Sequence, residues 1–217
     1  MLKPLADCRL YTFVDTAYLA GREPSEVARA LCDGGSDVIQ LRAKGSPVLE
    51  VRRWAEEVRK VCDSAQVWFA VNDHPAIAVD LGAPLCHLGQ EDFFGSGWKR
   101  ASEVIPATAG TQLGLSTHAP EQAERALRAQ PAYVAMGPVY ATPTKPDRAP
   151  TTLEYVRWAS RHVRIPWFAI GGITLDNLED VLSAGARRVC VVSAVLKAPD
   201  PLGACLAFRR RLSSAAI

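Results

Sequence analysis

The sequence predicts an α/β protein that folds as a (β/α)8 barrel, in one domain over residues 1–217. Short apolar stretches alternate with amphipathic ones along the chain, which indicates strands followed by helices. About eight such units are present, the number that closes this kind of barrel. The strands lack polar alternation, as expected of parallel strands covered by helices. These observations favour the TIM-barrel architecture over a doubly wound open sheet, which is the alternative.

Each predicted strand is a short apolar run. In chain order, the stretches that contain the strands are RLYTFVD, DVIQLRAK, VWFAVND, PLCHLGQED, TQLGLSTH, AYVAMGPVYA, PWFAIGGI and RRVCVVSAVL. The third and fourth stretches each run on to an aspartate, Asp73 and Asp92. The sequence therefore predicts two neighbouring strands that end in a carboxylate.

Each predicted helix is an amphipathic stretch, and in PVLEVRRWAEEVRKVC the apolar residues recur at i, i+3, i+4 and i+7 spacings. In chain order, the stretches are PSEVARALCDGG, PVLEVRRWAEEVRKVC, PAIAVDLGA, GWKRASEVI, PEQAERALRAQ, TTLEYVRWASRH, LDNLEDVLSAGA and LGACLAFRRRL. The first has Ser25 near its start and Gly34 and Gly35 at its end, which are typical boundary signals. Residues 141–150 form the longest irregular segment, and long loops in compact domains are often functional.

Composition narrows the class of protein. Hydrophobic residues make up 48% of the chain and charged residues 22%, as expected of a globular protein with a full core. The net charge of +2 gives no sign of a nucleic-acid or membrane partner. No segment approaches the ~20 apolar residues of a membrane span or resembles a signal peptide. The six cysteines form no Cys-x-x-Cys pair, which predicts buried thiols in a cytoplasmic protein. The sequence leaves the oligomeric state open, a homo-oligomer included.

Ionisable side chains gather at the predicted strand ends, and in a barrel the carboxyl ends of the strands form the active face. Asp73 and Asp92 offer oxygen ligands of the kind that Mg²⁺ prefers. In QLRAK, strand alternation places Gln40, Arg42 and Lys44 on one side. Burying such cations is costly unless an anion pairs with them. An anionic ligand is one interpretation, and a salt-bridged polar layer with Asp73 is the other.

The later strands predict a second anion site, without a metal. The loops after the seventh and eighth strands commonly bind phosphate in such barrels. Glycines at 171 and 172 permit close backbone approach, and the amides of residues 192–194 open a helical turn. The loop after the sixth strand adds Thr142, Thr144 and Lys145. Two separate anion sites suit an enzyme that joins a diphosphate to a monophosphate.

These motifs together resemble the thiamine phosphate synthase family. The resemblance covers the chain from LYTFVD to VVSAVL and is carried by QLRAK, VND, HLGQED, GPVYATPTKP, AIGGIT and VVSA in that order. It implies transfer of a 4-amino-2-methylpyrimidine-5-ylmethyl group from its diphosphate to a thiazole phosphate, in a barrel that uses Mg²⁺. The segments FFGSGWKR and APTTLEY depart from the family's usual pattern.

The resemblance also implies roles for individual residues. The catalytic residues are Arg42, Lys44, Ser116 and Lys145, and of these Ser116 would face either the leaving pyrophosphate or the pyrimidine. The substrate-binding residues are Gln40, Arg42, Lys44, Asn72, His87, Ser116, Thr142, Thr144, Lys145, Gly172, Val192 and Ser193. The Mg²⁺ ligands are Asp73 and Asp92. Gln40 would lie at the pyrimidine, and the threonines at the thiazole phosphate. His87 would lie near the pyrimidine or would be a hydrogen-bonded histidine that lines the barrel.

Two other functions compete with this interpretation. His118 matches the catalytic histidine of the related thiazole tautomerases, which isomerise a thiazole carboxylate phosphate. It is equally typical of a surface histidine at a helix start. The paired aspartates and QLRAK favour the synthase, because a tautomerase has no diphosphate to hold. A barrel that binds a thiazole or thiamine phosphate without turnover is the third hypothesis.

Overall fold

The computed structural model describes residues 1–142 and 149–214. Eight parallel strands form a closed barrel in chain order. They are β1 (Leu10–Asp15), β2 (Val38–Arg42), β3 (Trp68–Asn72), β4 (Leu85–Gly89), β5 (Gln112–Thr117), β6 (Tyr133–Met136), β7 (Trp167–Ile170) and β8 (Val189–Cys190). β1 pairs with β2 on one side and with β8 on the other, which closes the sheet. The predicted (β/α)8 barrel is confirmed, and the open sheet is excluded.

Helices follow the strands and cover the outside of the barrel. They are α1 (Pro24–Asp33), α2 (Val48–Ala65), α3 (Pro75–Asp80), α4 (Gln90–Gly95), α5 (Ala101–Val104), α6 (Pro120–Arg128), α7 (Thr152–His162), α8 (Leu178–Ser183), α9 (Ser193–Leu196) and α10 (Pro201–Ser214). Short 3₁₀ turns occupy Leu5–Asp7, Thr16–Tyr18 and Ala107–Ala109. Within the described residues, no helix is both long enough and apolar enough to cross a membrane.

Two sequence predictions about local structure were wrong. The stretch PLCHLGQED does not stay a strand to its end, because β4 stops at Gly89 and α4 begins at Gln90. Asp92 therefore lies in the first turn of a helix, where the helix dipole favours a negative charge. The helix predicted over GWKRASEVI is confined to Ala101–Val104. Local periodicity alone does not fix where a strand ends and a helix begins.

The barrel interior holds an aromatic cluster in place of the branched aliphatic side chains usual in such barrels. The Tyr11 ring stacks on Phe13 and meets Phe168 edge-on, with centroids 5.3 Å apart in each pair. Tyr133 packs edge-on against Phe168 at 5.8 Å. A Cβ atom on Gly114 would lie 2.1 Å from Cζ of Tyr133, so only glycine makes room for this ring. The cluster forms a floor beneath the carboxyl ends of the strands.

Asp37 ties the amino end of the barrel to the last helix. Its buried carboxylate accepts hydrogen bonds from the backbone amides of Arg9 at 2.6 Å and Leu10 at 3.0 Å. The Arg209 guanidinium on α10 donates to both carboxylate oxygens, at 3.0 and 2.9 Å. Lys3 pairs with the same carboxylate. This cluster lies at the end of the barrel opposite the carboxyl ends of the strands, where side chains serve stability and not catalysis.

Candidate active site

A cavity of about 490 Å³ opens at the carboxyl ends of the strands. Every strand contributes at least one lining side chain or backbone segment, among them Tyr11, Gln40, Ser116 and Cys190. A cavity of this size fits a small-molecule ligand. The location is the one that barrel geometry favours for an active site.

The predicted site residues that the structure describes all lie in this cavity. They are Gln40, Arg42, Lys44, Asn72, Asp73, His87, Asp92, Ser116, Thr142, Gly172, Val192 and Ser193. Thr144 and Lys145 lie outside the described residues. The fold thus brings together side chains from β2 through α9 that are distant from one another in the sequence.

The cationic side chains on one side of the cavity come from β2 and the residues after it, and each forms an ion pair with an aspartate. Nη1 of Arg42 donates to Oδ2 of Asp15 at 2.8 Å, and the Asp15 side chain is only 1% exposed. Asp15 also accepts from the amide of Ala17 at 3.1 Å, which fixes its carboxylate. Nζ of Lys44 lies 3.4 Å from Oδ2 of Asp73, in a pair whose Lys44 side chain is 53% exposed and whose Asp73 side chain is 28% exposed. Arg42 is therefore rigidly held, whereas Lys44 is loosely held because exposed ion pairs are weak.

Asp73 follows β3 in a conformation that few residues adopt. Its φ is +63°, in the left-handed region, which Asp tolerates better than bulkier residues do. Its amide donates to the carbonyl oxygen of His87 on β4 at 2.9 Å. A residue other than glycine in the left-handed backbone conformation costs about 1 kcal/mol or more, and such residues concentrate at functional sites. The turn lifts the carboxylate to the cavity mouth beside Lys44.

The carboxylates of α4 fold back over the end of β4. Oδ2 of Asp92 lies 2.8 Å, and Oε2 of Glu91 3.9 Å, from the position that a Cβ atom on Gly89 would take. Phe93 is completely buried and packs against Trp98 with ring centroids 5.8 Å apart. Phe93 and Trp98 therefore anchor the helix from which Asp92 lines the cavity.

The oxygen ligands in the cavity suit Mg²⁺. Asp73 and Asp92 both line it, together with Glu91. Within residues 1–142 and 149–214, no three or more His, Cys, Asp and Glu side chains are gathered closely enough to hold a metal alone. Mg²⁺ typically uses one or two carboxylates and completes its shell with water and substrate phosphates. The donor set fits that ion, provided that a phosphorylated ligand supplies further oxygens.

A hydrogen-bonded chain of four buried side chains runs across the barrel. Nε2 of Gln40 donates to the Tyr11 hydroxyl at 2.8 Å, which lies 2.9 Å from the hydroxyl of Tyr133. The Tyr133 hydroxyl lies 3.0 Å from Nδ1 of His87. Burial raises the pKa of Tyr11 and of Tyr133, so both hydroxyls keep their protons at neutral pH. Gln40 and His87 are thereby held by the same chain.

The glycines after β7 are required by close packing. Gly171 has φ +102° and Gly172 has φ +64°, both in the left-handed region. A Cβ atom on Gly172 would lie 2.6 Å from the carbonyl oxygen of Ala141. The Tyr140 amide also donates to the Gly171 carbonyl at 3.0 Å. The loops after β6 and β7 are thus joined, which carries Thr142 to the cavity edge.

Asn177 and the start of α9 complete this side. Nδ2 of Asn177 donates to the Gly172 carbonyl at 2.9 Å, and its Oδ1 accepts from the Thr174 amide at 2.8 Å. Ser193 is the first residue of α9, and the first amides of a helix have no acceptor within it. This edge of the cavity therefore has backbone donors and a hydroxyl, which are groups that can bind an anion.

His118 lies in the cavity and not on the surface. Its Nδ1 donates to the Gly137 carbonyl at 2.5 Å, and its Nε2 lies 3.9 Å from Oε2 of Glu91. The hydrogen bond to the carbonyl fixes the ring, since a carbonyl oxygen only accepts. The His118 side chain is only 10% exposed, so the alternative of a surface histidine is wrong.

The cysteines agree with the prediction of buried thiols. All six are free, and five of them are buried. Burial raises the pKa of Cys8, Cys86 and Cys205 to about 12. Cys190 lines the cavity, and burial raises its pKa as well, so its thiol is not ionised at neutral pH and is a poor nucleophile.

Several residues of the site were missed from the sequence. They are Tyr11, Asp15, Glu91, Tyr133 and Asn177. Asp15 had a usable signal, because LYTFVD ends in an aspartate just as the third strand stretch does. Glu91 adjoins Asp92, but the sequence does not show which of the two carboxylates faces a ligand. Tyr133 and Asn177 gave no signal in the sequence, because each contacts a residue that only the fold brings next to it.

Comparison with known proteins gives one consistent result. The family model described as thiamine monophosphate synthase matches residues 10–195. A thiamine-phosphate synthase of Thermus thermophilus is 47% identical over 185 residues, which cover 85% of this chain and 86% of that protein. The Acidothermus cellulolyticus thiamine-phosphate synthase is 41% identical over 221 residues, and each chain is covered completely. The solved thiamine phosphate pyrophosphorylase from Pyrococcus furiosus superposes with a TM-score of 0.84 at 27% identity, covering 98% of this chain and 99% of that one.

Proposed function

Because the chain belongs to the thiamine monophosphate synthase family, we propose that this cavity, in a single catalytic domain, is where two substrates are joined. The substrates are 4-amino-2-methylpyrimidine-5-ylmethyl diphosphate and 4-methyl-5-(2-phosphoethyl)thiazole or its carboxylate, from which CO2 is also lost. The products are thiamine monophosphate and pyrophosphate. The observation that carries the proposal is that cations and carboxylates line one side of the cavity and a glycine-rich edge lines the other.

The aminopyrimidine lies in the deep part of the cavity, over the aromatic floor. Gln40 lines this part and is only 2% exposed. His87 and Ser116 are also buried lining residues, from the neighbouring strands β4 and β5. A flat heteroaromatic ring packs well over aromatic side chains, and a few fixed polar groups orient it. These residues set the position of the reacting methylene carbon.

The diphosphate lies over β2, β3 and α4. Arg42, Lys44 and Asn72 line that side, and Asp73 and Asp92 are the proposed ligands of Mg²⁺. The chemistry supplied by a bound Mg²⁺ ion is neutralisation of the charge on the diphosphate. Lys145, beyond the described residues, is proposed to add a further cation to the same group. Arg42 is already oriented by Asp15 before any ligand arrives.

The thiazole phosphate lies at the opposite edge. Gly172, Val192, Ser193 and Thr142 line that edge, and Thr144 is proposed to join them. Backbone donors at the start of α9 and the two threonine hydroxyls bind a phosphate without a metal. With its phosphate held there, the thiazole ring reaches over the cavity toward the pyrimidine.

The reaction needs no protein nucleophile. The bond between the methylene carbon and the diphosphate oxygen breaks, and its electron pair leaves with pyrophosphate. The electron-rich aminopyrimidine stabilises the cation, and the lone pair of the thiazole nitrogen then forms the new carbon–nitrogen bond. Arg42, Lys44, Ser116 and Lys145 stabilise the charge that develops on the leaving group. One preorganised donor of this kind typically contributes a factor of about 10²–10³ in rate, and alignment of the two substrates contributes further.

A thiazole tautomerase is the second candidate function. It is favoured by His118, which lies in the cavity with Nε2 3.9 Å from a Glu91 carboxylate oxygen. Such a pair suits proton transfer on a thiazole carboxylate phosphate. A barrel that only binds these ligands is the third candidate, and it requires binding without any turnover.

Pyrophosphate release from the purified protein tests the proposal. The two substrates are supplied singly and together, with Mg²⁺ or with EDTA. We expect release only when both substrates and Mg²⁺ are present. Release that continues in EDTA would contradict the metal assignment. Isomerisation of a thiazole carboxylate phosphate without pyrophosphate release would favour the tautomerase, and binding without either reaction would favour the third candidate.

A further inference from the structure

Arg22 joins two loops at the carboxyl end of the barrel that lie far apart in the sequence. Its Nε donates to the carbonyl oxygen of Leu19 at 2.8 Å, and its Nη2 donates to that of Tyr18, also at 2.8 Å. The same Nη2 donates to the carbonyl oxygen of Leu196, the last residue of α9, at 2.9 Å. Arg22 therefore connects the loop after β1, residues 16–22, to the segment after β8, and we call the bond to Leu196 the Arg22 bridge.

The loop after β1 is shaped to place the Arg22 guanidinium. Ala20 and Gly21 both lie in the left-handed region, with φ of +51° and +84°. They turn the chain back on itself, so the Arg22 amide also donates to the Leu19 carbonyl at 3.0 Å. A residue other than glycine keeps such a conformation only where the surrounding structure holds it. The guanidinium therefore projects from a loop of fixed shape.

The other end of the bridge is attached to the cavity wall. Val192 and Ser193 line the cavity. The Leu196 amide donates to the Val192 carbonyl at 2.9 Å, and the Lys197 amide donates to the Ser193 carbonyl at 3.0 Å. The Leu196 side chain is buried, but burial of apolar surface is non-directional. The planar guanidinium of Arg22, which donates in fixed directions, sets the orientation of the segment.

A second contact joins the same two segments. Nζ of Lys197 lies 5.3 Å from the centroid of the Tyr18 ring, within the range of a cation–π interaction. Arg22 itself is half-buried and does not line the cavity. Any effect of Arg22 on a ligand therefore passes through the segment that it holds.

We propose that Arg22 is a positioning residue for the thiazole phosphate, because it holds residues 192–196 in place before that ligand binds. This inference rests on the proposed function, since it takes the thiazole phosphate as the ligand beside Val192 and Ser193. A segment that is ordered in advance loses little freedom when the ligand binds, and affinity is higher for that reason. Loss of Arg22 should weaken the grip on this phosphate and spare the diphosphate, which lies on the other side of the cavity.

Two variants remove the bridge. Arg22→Ala removes all the hydrogen bonds of the side chain. Arg22→Gln is the milder change, because its amide nitrogen occupies the place of Nε along the side chain and can still donate to the Leu19 carbonyl. It has no counterpart of Nη2, so the bond to Leu196 is lost. A role confined to the Nε bond within the loop would survive in Arg22→Gln, whereas the bridge is lost in both variants.

The experiment compares two acceptors in the pyrophosphate-release assay. They are the thiazole phosphate and 4-methyl-5-(2-hydroxyethyl)thiazole, which lacks the phosphate. We expect the wild type to favour the phosphate by about 100-fold or more in kcat/KM. Arg22→Ala and Arg22→Gln should each lower that ratio roughly tenfold, the size expected for one hydrogen bond from a charged donor. The KM for the diphosphate and the Mg²⁺ concentration for half-maximal rate should stay at their wild-type values, which a general loss of structure would change.

Arg9→Ala is the matched control. Arg9 is also half-buried, and its Nη1 donates to the carbonyl oxygen of Leu212 on α10 at 2.6 Å, at the amino end of the barrel. Its variant should keep the wild-type ratio even if its stability falls.

The outcomes separate this inference from the proposed function. The inference alone is overturned by a wild-type ratio in folded Arg22→Gln, by an equal rise in the KM of both substrates, or by failure of both variants to fold. A wild type that uses the two acceptors equally overturns the phosphate edge together with the inference. A wild type that releases no pyrophosphate with either acceptor overturns the proposed function.

Discussion

Replacement of Asp92 by alanine separates the proposed metal role from any role in folding. Asp92 is exposed and is the third residue of α4, so its structural contribution is that of a carboxylate near a helix start. Such a charge typically contributes about 0.3–1 kcal/mol. Phe93 anchors the helix independently, because it is completely buried. We therefore expect the free energy of unfolding of Asp92→Ala to fall by about 1 kcal/mol or less.

Turnover should fall by far more than stability. If Asp92 holds the ion that neutralises the diphosphate, its loss should slow pyrophosphate release by at least about 100-fold at fixed Mg²⁺. That factor corresponds to about 2.7 kcal/mol in the activation free energy. Asp92→Asn keeps the size of the side chain and should show the same loss, with a higher Mg²⁺ concentration needed for half-maximal rate.

The assay is continuous pyrophosphate release across a Mg²⁺ titration, paired with urea unfolding of each variant. Glu121→Ala is the matched control, because Glu121 is an exposed acidic residue in the first turn of α6 and does not line the cavity. It should lose a similar small amount of stability and keep its turnover. Turnover of Asp92→Ala within about fivefold of the wild type at the same Mg²⁺ concentration would refute the metal assignment, since a lost charge-stabilising group costs far more than that.

Three further predictions concern stability. Asp37→Ala leaves two backbone amides and Arg209 without their acceptor, so the free energy of unfolding in urea should fall by about 3–5 kcal/mol. The exposed Asp80→Ala should cost less than about 1 kcal/mol, and equal losses would contradict the argument. Gly114→Ala, whose methyl would lie 2.1 Å from Tyr133, should cost about 1–3 kcal/mol, whereas Gly95→Ala, with open space around it, should cost nothing measurable by the same method. Burial raises the pKa of Cys86 from 9.0 to about 12. Between these pH values the thiol is ionised in the unfolded protein and protonated in the native protein. The contribution of the thiol to the free energy of unfolding is therefore present below pH 9 and is lost above it, by up to about 1.4 kcal/mol per pH unit. Denaturation titrations from about pH 8 to 11, which span the rise from the unfolded pKa, should show a shallower decline in Cys86→Ala, and an identical decline would contradict this.

The barrel and most of the site were predictable because their signals are local. An apolar run of about five or six residues and a helical stripe are each legible within a short window. Parallel strands place their carboxyl ends together, so polar residues after each strand were expected to converge. Gln40, Arg42 and Asp73 were found in this way, and they line the same cavity.

The boundary between β4 and α4 was not predictable in the same way. Gln90, Glu91 and Asp92 follow the strand without a break in the sequence, and either an extended or a helical backbone suits them. Packing favours the helix, because the helical turn after Gly89 places Phe93 in the core, where it is completely buried. The helical turn brings the Asp92 carboxylate back over the strand end, where an extended chain would have carried it away.

The sequence by itself determined the succession of strands and helices, the residues at the strand ends and the kind of chemistry they support. Only the tertiary structure decided how those residues are paired. Arg42 meets Asp15, which is 27 residues away, and Tyr11 meets Tyr133, which is 122 residues away. The physical reason is that a buried polar group must find its partner across strands, and the identity of that partner depends on the register and closure of the whole barrel. Local periodicity contains neither of these.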